Sequence, residues 1–293
     1  MNYNYIDLHV HTTCSDGYYS AEEVVQMATR AGLVAIAIAD HDNIDGIDPA
    51  MAAARTLGLE VIPAVELSSQ WRTFTDMHLL GYGFDHQDRA LASELRQFQS
   101  FRAQRNEKII AAVNLKLADE KRAPIDPQEV RSLAGGTIGR PHIAQVLRQK
   151  GYVSGNEEAF TRYLVPCNVP KYFFPADKAI SLIHACGGVA VLAHPPYVTR
   201  DHHQLEALVA ELVSLGLDGI EVYNNGSGLE DTDRLIRVAR HHDLIITGGS
   251  DFHGEPGSAI QIGYGLRGIR VPYDCVDEIK QALTRRGQPL RWI

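Results

Sequence analysis

Cysteine is scarce in this 293-residue chain: Cys14, Cys167, Cys186 and Cys275 are its only four, and none lies in a CxxC pair. Scattered cysteines exclude a disulfide framework and suit a reducing compartment. No apolar run approaches the ~18 residues of a membrane span. The opening MNYNYIDLHVH has no basic stretch followed by an apolar one, so no secretory leader is expected and a cytoplasmic location is. No GxGxxG follows the first apolar segment, and there is no P-loop, internal repeat or low-complexity tract. Positive charge is short as well. With 28 Lys/Arg against 36 Asp/Glu the net charge is −8, which argues against a protein that coats duplex nucleic acid.

Hydrophobic residues make up 45% and charged residues 22% of the chain, enough apolar side chain to bury a large core. The length allows two domains or one α/β barrel. Short apolar runs at 5–11, 33–39, 59–67, 77–83, 188–194, 218–223 and 244–248 read as strands. Between most of them lie helical patterns with start signals, such as the capping box of Ser20 and Glu23. About seven β/α steps predict a parallel sheet, closed into a barrel rather than open. Residues 88–150 break this rhythm. They are polar and helical, with a helix start at Asp126-Pro127-Gln128-Glu129 and a further helix opened by Pro141, and Pro166, Pro170 and Pro175 mark the exit. Between Arg96 and Lys150 eleven Lys/Arg face five Asp/Glu, a surplus of six. Since the whole chain carries −8, the remainder carries −14. A basic module in an acidic host fits a pairing of anion binding with cation binding, or simply a solvated helical surface.

Polar residues recur where the strands end. His9 and His11 close the first strand, Asp40-His41-Asp42 follows the second, Glu66 ends the third and His78 lies in the fourth. His194 ends the fifth, Glu221 and Asn224 the sixth, and Ser250-Asp251-Phe252-His253 follows the seventh. In a β/α barrel these ends share one face, where active sites are built. Two residues apart in an extended segment, His9 and His11 point the same way. Imidazoles converging with carboxylates suit Zn²⁺, Mn²⁺ or Fe²⁺, and so many donors imply more than one ion, with a carboxylate such as Glu66 able to bridge. Each residue alone reads as well as a helix cap or turn. Chance placement of unrelated polar residues at six or seven strand ends does not.

The segments DLHVHTTCSDG, IADHDNIDG, IPAVELS, the histidine of MHLLGYG, VLAHP and GSDFHG together resemble the PHP family, named for polymerase and histidinol phosphatase domains. The resemblance implies a distorted (β/α)7 barrel holding two or three divalent metals. Here the barrel would comprise residues 1–87 and 173–293, and residues 88–172 would form an inserted helical domain over the substrate cleft. By position, His9, His11, Glu66 and Asp251 would hold one ion, and Glu66, His78 and His194 a second. Asp16, His41 and His253 would hold a third, Asp16 standing where the family often has histidine. Asp7 and Asp40 would orient the imidazoles from behind. The helical insertion resembles the subgroup that removes the 3′-phosphate from 3′,5′-nucleoside bisphosphates and whose relatives trim RNA from the 5′ end. Thr137-Ile138-Gly139-Arg140-Pro141-His142 is the segment where the resemblance would place a phosphate reader.

The expected reaction is metal-dependent hydrolysis of a phosphate ester, with Mn²⁺ the first-choice ion, Zn²⁺ or Fe²⁺ the others, and Asp251, His253 and His194 as the catalytic side chains. Arg140, His142 and Arg105 are the candidate anchors for a second phosphate, Arg140 and His142 lying beside a helix start whose N–H groups also favour anions. The expected partners are a small phosphorylated substrate, a nucleotide such as pAp, and short single-stranded RNA, with no membrane and no obligate protein partner. Competing readings are a histidinol-phosphate phosphatase, an amidohydrolase and a nucleic-acid-binding module without catalysis. Glu66 disfavours the second, because amidohydrolase barrels usually bridge their metals with a lysine.

Overall fold

The computed structural model describes residues 4–133 and 139–292. Three strands open the sheet: β1 (Tyr5–Val10), β2 (Ala35–Ile38) and β3 (Glu60–Trp71), with helices α1 (Ala21–Arg30) and α2 (Ile47–Ala54) as the crossovers between them. β1 with β2 and β2 with β3 pair in parallel. Helix α1 starts on the expected capping box, Ser20 Oγ accepting from the Glu23 N–H while Glu23 Oε2 accepts from the Ser20 N–H.

The fourth strand corrects the expectation of an all-parallel sheet. β4 (Phe74–Tyr82) runs antiparallel to β3 on one side and to β6 (Val189–Leu192) on the other. The reason is connection length. Only Arg72 and Thr73 separate β3 from β4, whereas a parallel return needs a crossover of about a dozen residues. Arg72 takes the left-handed backbone (φ 50°) that tight hairpins favour.

The insertion begins with one 31-residue helix, α3 (Arg89–Asp119), capped by Asp88, and continues through α4 (Pro127–Leu133), α5 (Arg140–Gln149) and α6 (Asn156–Ala159). Helix α3 belongs to two cores. Leu91, Leu95 and Phe98 pack into the barrel. Ile109, Ile110, Val113 and Leu117 pack instead with Val130, Ile143, Leu147 and Leu164 of the insertion. A two-residue strand, β5 (Phe174–Pro175), pairs with the end of β3 as the chain returns. Then follow α7 (Ala176–Ala185), β6, α8 (Pro195–Val198), α9 (His202–Ser214), β7 (Gly219–Tyr223), α10 (Leu229–His241), β8 (Ile245–Gly248), β9 (Val271–Pro272) and α11 (Asp274–Arg285).

The sheet order is β8-β7-β6-β4-β3-β2-β1-β9, with β5 attached to β3. Residues just after β8 bring its end back to β1. Phe252 bridges Val10, its carbonyl accepts from the His11 N–H at 2.9 Å, and Asp7 Oδ1 accepts from the Ser250 N–H at 2.8 Å. The result is a nearly closed barrel. Gly249 is required at this seam, since a Cβ there would collide with the backbone and Cβ of His9. Among the described residues no helix is long and apolar enough to cross a membrane.

Candidate metal centre

β1 and the residue that follows it present His9 and His11 toward one point, both fully buried. The His9 Nδ1 meets Glu221 Oε1 at 2.9 Å, which leaves Nε2 facing Glu66 Oε2 (3.4 Å) and Asp251 Oδ1 (3.5 Å). The His11 Nε2 faces Asp251 Oδ1 (3.1 Å) and Glu66 Oε2 (3.4 Å). Glu66 sits at the middle. Its Oε1 lies 2.8 Å from His78 Nδ1 and 3.0 Å from His194 Nε2, and its Oε2 lies 2.9 Å from His41 Nδ1. One carboxylate therefore divides the imidazoles into two sets, one per oxygen. Asp16 faces His253 Nε2 at 3.3 Å and His41 Nε2 at 3.9 Å. Three residues on the rim have left-handed backbones, Asp42 (φ 51°), His194 (φ 26°) and Asp251 (φ 54°), a conformation that non-glycine residues keep only where their surroundings hold it.

The donor atoms fall into three groups whose members lie within 4.8 Å of one another: His9, His11 and Asp251; His41, Glu66 and His78; and His11, Asp16, His41 and His253. All nine residues singled out as ligands are thus brought together. The grouping differs in that His11 and His41 are each shared between two sets, while His194 reaches the cluster through Glu66 and a 3.3 Å contact to His78.

Whether ions fit can be tested on the polar atoms themselves. His9 Nε2, His11 Nε2, Asp16 Oδ1, His41 Nδ1, Glu66 Oε2, His78 Nε2 and His194 Nδ1 are all buried without a hydrogen-bond partner. One such atom costs ~1–3 kcal/mol. Seven in one cluster, at short distances but poorly aligned for hydrogen bonds, fit a set of ligands awaiting cations. The nitrogen and oxygen donors suit Zn²⁺, Mn²⁺ or Fe²⁺.

The side chains that hold these imidazoles are not those expected. Asp7 accepts from Ser250 N and Oγ and from the N–H groups of Gly263 and His9, so it ties the barrel seam and touches no imidazole. Asp40 accepts from Thr12 N and Oγ1 and from Ser15 Oγ, and reaches His11 only through Ser15, whose hydroxyl lies 3.4 Å from His11 Nδ1. Backbone N–H groups close to each carboxylate claim it first. The orienting carboxylate is Glu221, which holds His9 and also accepts from the His194 N–H at 2.6 Å. Its sequence signal was a charged residue inside an otherwise apolar strand, IEVY.

Charge in the cluster is finely opposed. Burial lowers His11, and the neighbouring His253 and His41 help push it down to about 3. Burial also opposes charge on His253 and His78. Asp16 and Asp251 outweigh it at His253, raising it to about 10, and Glu66 and Asp76 do so at His78, raising it to about 9. Glu66, despite burial, is held well below the usual carboxylate range by His78, His41 and His9. Burial likewise opposes charge on His9, where Glu66, Glu221 and Asp251 outweigh it and hold it well above the usual imidazole range, so three imidazoles of the cluster favour protons that a cation must displace. Mn²⁺ titration of the metal-free protein should release protons, and affinity should rise between pH 6 and 8.5, because raising the pH removes the competing protons. Calorimetry in buffers of different ionisation enthalpy measures the release, and binding independent of pH and buffer would contradict it.

The insertion approaches this centre. Arg140 opens α5 with its guanidinium carbon 5.4 Å over the Phe160 ring. His142 is buried, and its Nδ1 accepts from the Gly139 N–H at 3.0 Å, which places the proton of the neutral ring on Nε2. Burial lowers its pKa, with Asp16 pulling the other way and Arg102 adding to the lowering. Arg105 donates to the Val169 carbonyl and to Asn168 Oδ1, both at 2.8 Å. Burial and then the Arg140 and Arg102 charges bring its pKa down to about 10. The start of α5 offers few free N–H groups, since Gly139 N donates to His142, Pro141 has none and His142 N donates to the Gly139 carbonyl. The expected helix-end contribution is thus spent locally. Thr137 and Ile138 of the expected phosphate reader, like Gly135 and Gly136, lie outside the described residues.

Comparison with known proteins agrees with this geometry. A model of the PHP domain matches residues 7–119. A 5′-3′ exoribonuclease of Haemophilus influenzae is 34% identical over 89% of this chain and 93% of its own length. A 3′,5′-nucleoside bisphosphate phosphatase of Chromobacterium violaceum is 30% identical over 88% of this chain and 90% of its own. A solved structure from Bifidobacterium adolescentis, described as a metal-dependent phosphoesterase, superposes with a TM-score of 0.81 at 30% identity, covering 94% of this chain and 95% of that one. With a barrel that gathers histidine and carboxylate donors at one face and relatives matched along most of its length, the chain belongs to the PHP-domain family of phosphoesterases.

Proposed function

We propose that this phosphoesterase removes the 3′-phosphate of 3′,5′-nucleoside bisphosphates such as pAp, yielding a nucleoside 5′-monophosphate and phosphate, and that it also trims short RNA from the 5′ end. The observation that carries this reading is the second cationic site. Burial first, and then the Arg140 charge, depress the Arg105 guanidinium. Arg105 donates to the neutral Val169 carbonyl and Asn168, Arg140 stacks over Phe160, and among the described residues neither has a carboxylate within ion-pair distance. An anion between such like charges would relieve their repulsion. A bisphosphate supplies one, with the 5′-phosphate on Arg140, Arg105 and the Nε2–H of His142 while the 3′-phosphate lies at the ligand cluster.

Residues 88–172 form the wall of this cleft in our reading. Contacts around the barrel mouth support it: Arg102 to Asp42 (2.7 Å), Lys171 to Asp76 (2.7 Å), and Asn156 to Glu255. We assign two to three divalent ions to the cluster, Mn²⁺ the first choice. Bound there, they would supply Lewis acidity toward water and the phosphoryl oxygens. Asp251 and His253 have the most exposed side chains of the nine, 25% and 29%, and are assigned the proton transfers, with His194 beside the phosphoryl group. All four cysteines are free, in keeping with a cytoplasmic enzyme.

The deciding experiment is a substrate panel with Mn²⁺: pAp, AMP, histidinol phosphate, p-nitrophenyl phosphate, a 5′-phosphorylated RNA oligomer and simple amides, scored for phosphate, nucleoside monophosphate and amine. We expect pAp to have the highest kcat/KM and the amides none. A preference for histidinol phosphate would overturn the substrate assignment.

A further inference from the structure

Asp42 is fully buried, directly follows His41 in the chain, and is absent from the ligand groups. It is held from two directions. From the barrel, its N–H donates to the Glu66 carbonyl at 2.9 Å, and its carboxylate accepts from Ser68 N (2.8 Å) and Ser68 Oγ (2.9 Å) on β3. From the insertion, α3 contributes Arg102, whose Nη1 lies 2.7 Å from Asp42 Oδ2, and Gln99, whose Nε2 donates to the Asp42 carbonyl at 3.0 Å. Gln99 and Arg102 are three residues apart on the helix, so one face of α3 grips both the backbone and the side chain of Asp42. The left-handed backbone of Asp42 (φ 51°) sets the direction in which the preceding residue, His41, leaves the strand. His41 belongs to two of the three ligand groups.

We propose that Arg102 is a positioning residue for the metal centre: through Asp42 it fixes the His41 imidazole, and so makes cation binding at the His41 groups depend on the insertion. This rests on reading the cluster as a metal centre. The pair is buried, with Arg102 13% exposed and Asp42 not at all. Removing the cation leaves a buried carboxylate without its counter-charge, one residue from a ligand. The two Ser68 bonds keep that carboxylate hydrogen-bonded, so the expected response is a shifted loop rather than a lost fold.

The test uses Arg102→Gln and Arg102→Lys in the full chain, with Mn²⁺ alone as the first probe. Equilibrium dialysis should show the weakest Mn²⁺ site of Arg102→Gln binding roughly 10- to 100-fold less tightly, the usual range for a residue behind a ligand. The kcat for p-nitrophenyl phosphate should fall by a similar factor while KM stays within about twofold. Arg102→Lys, which keeps the charge, should recover most of both. His41→Ala should lose the same ion, and adding Arg102→Gln to it should cost little more, because the two act through one element. Should Arg102→Gln fail to fold, Arg102→Gln with Asp42→Asn removes both charges, keeps an amide pair, and carries the same expectation. Unaltered Mn²⁺ binding in folded Arg102→Gln, or in the Arg102→Gln, Asp42→Asn double variant, overturns the proposal. If KM is then raised, Arg102 grips substrate; if kinetics are unchanged, it is only a structural latch. A wild-type protein that binds no Mn²⁺ would instead overturn the metal-centre reading. The nucleotide assignment enters none of these measurements and is tested separately by the substrate panel.

Discussion

Glu66→Gln should lower kcat by roughly three orders of magnitude, about 4 kcal/mol of transition-state stabilisation, and should strip bound metal in parallel. The substitution keeps the size of the side chain and removes its charge. Each oxygen of Glu66 faces a different set of imidazoles, His78 and His194 on Oε1 and His41, His9 and His11 on Oε2. An amide has one acceptor and one donor, so it can serve one set only, and its NH₂ would point at nitrogens that are themselves ligands. Glu66 is fully buried, so no water makes up the loss. Elemental analysis of the purified variant, alongside p-nitrophenyl phosphate turnover, measures both effects. Full metal content with a normal rate would remove Glu66 from the bridging position.

Arg140→Ala should lower kcat/KM for the bisphosphate by roughly 10- to 150-fold, the equivalent of one charged hydrogen bond at ~1.5–3 kcal/mol. The same variant should hydrolyse p-nitrophenyl phosphate nearly as well as the parent, since an aryl phosphate has no second anion to lose. Arg140 can present a planar fork to a phosphate, and its position above the Phe160 ring favours a flat guanidinium over an ammonium. Arg140→Lys should therefore recover only part of the activity. An equal loss on both substrates would mean that Arg140 serves the chemistry or the fold, and no loss on either would place the second phosphate elsewhere.

Much of this protein was legible residue by residue. The run YIDLHV is apolar and short, so it forms a strand, and continuing its alternation one residue past its end puts His11 on the same side as His9. Ser20 and Glu23 announce the start of α1, and Asp126 with Glu129 the start of α4, through bonds between neighbours in the chain. The donors His9, His11, Asp16, His41, Glu66, His194, Asp251 and His253 could be gathered because strand ends of a β/α barrel share a face, whereas His78 reaches the cluster from within antiparallel β4. The direction of β4 was not legible in this way: the apolar runs 59–67 and 77–83 leave nine residues between them, whereas the strands themselves extend to Trp71 and from Phe74, and the two residues that remain cannot carry a crossover.

Local spacing determined which segments are strands, where the helices begin and which residue types stand at the strand ends, because those choices depend on side chains within a few positions of one another. The contacts that aim the donors were decided only by the tertiary structure. His9 is oriented by Glu221, 212 residues away, Asp7 is claimed by Ser250, 243 residues away, and the loop carrying His41 is gripped by Arg102, 60 residues on. A buried carboxylate accepts whichever donors the closed barrel brings nearest, and that depends on how the whole sheet curls and where α3 crosses it. No spacing along the chain encodes it.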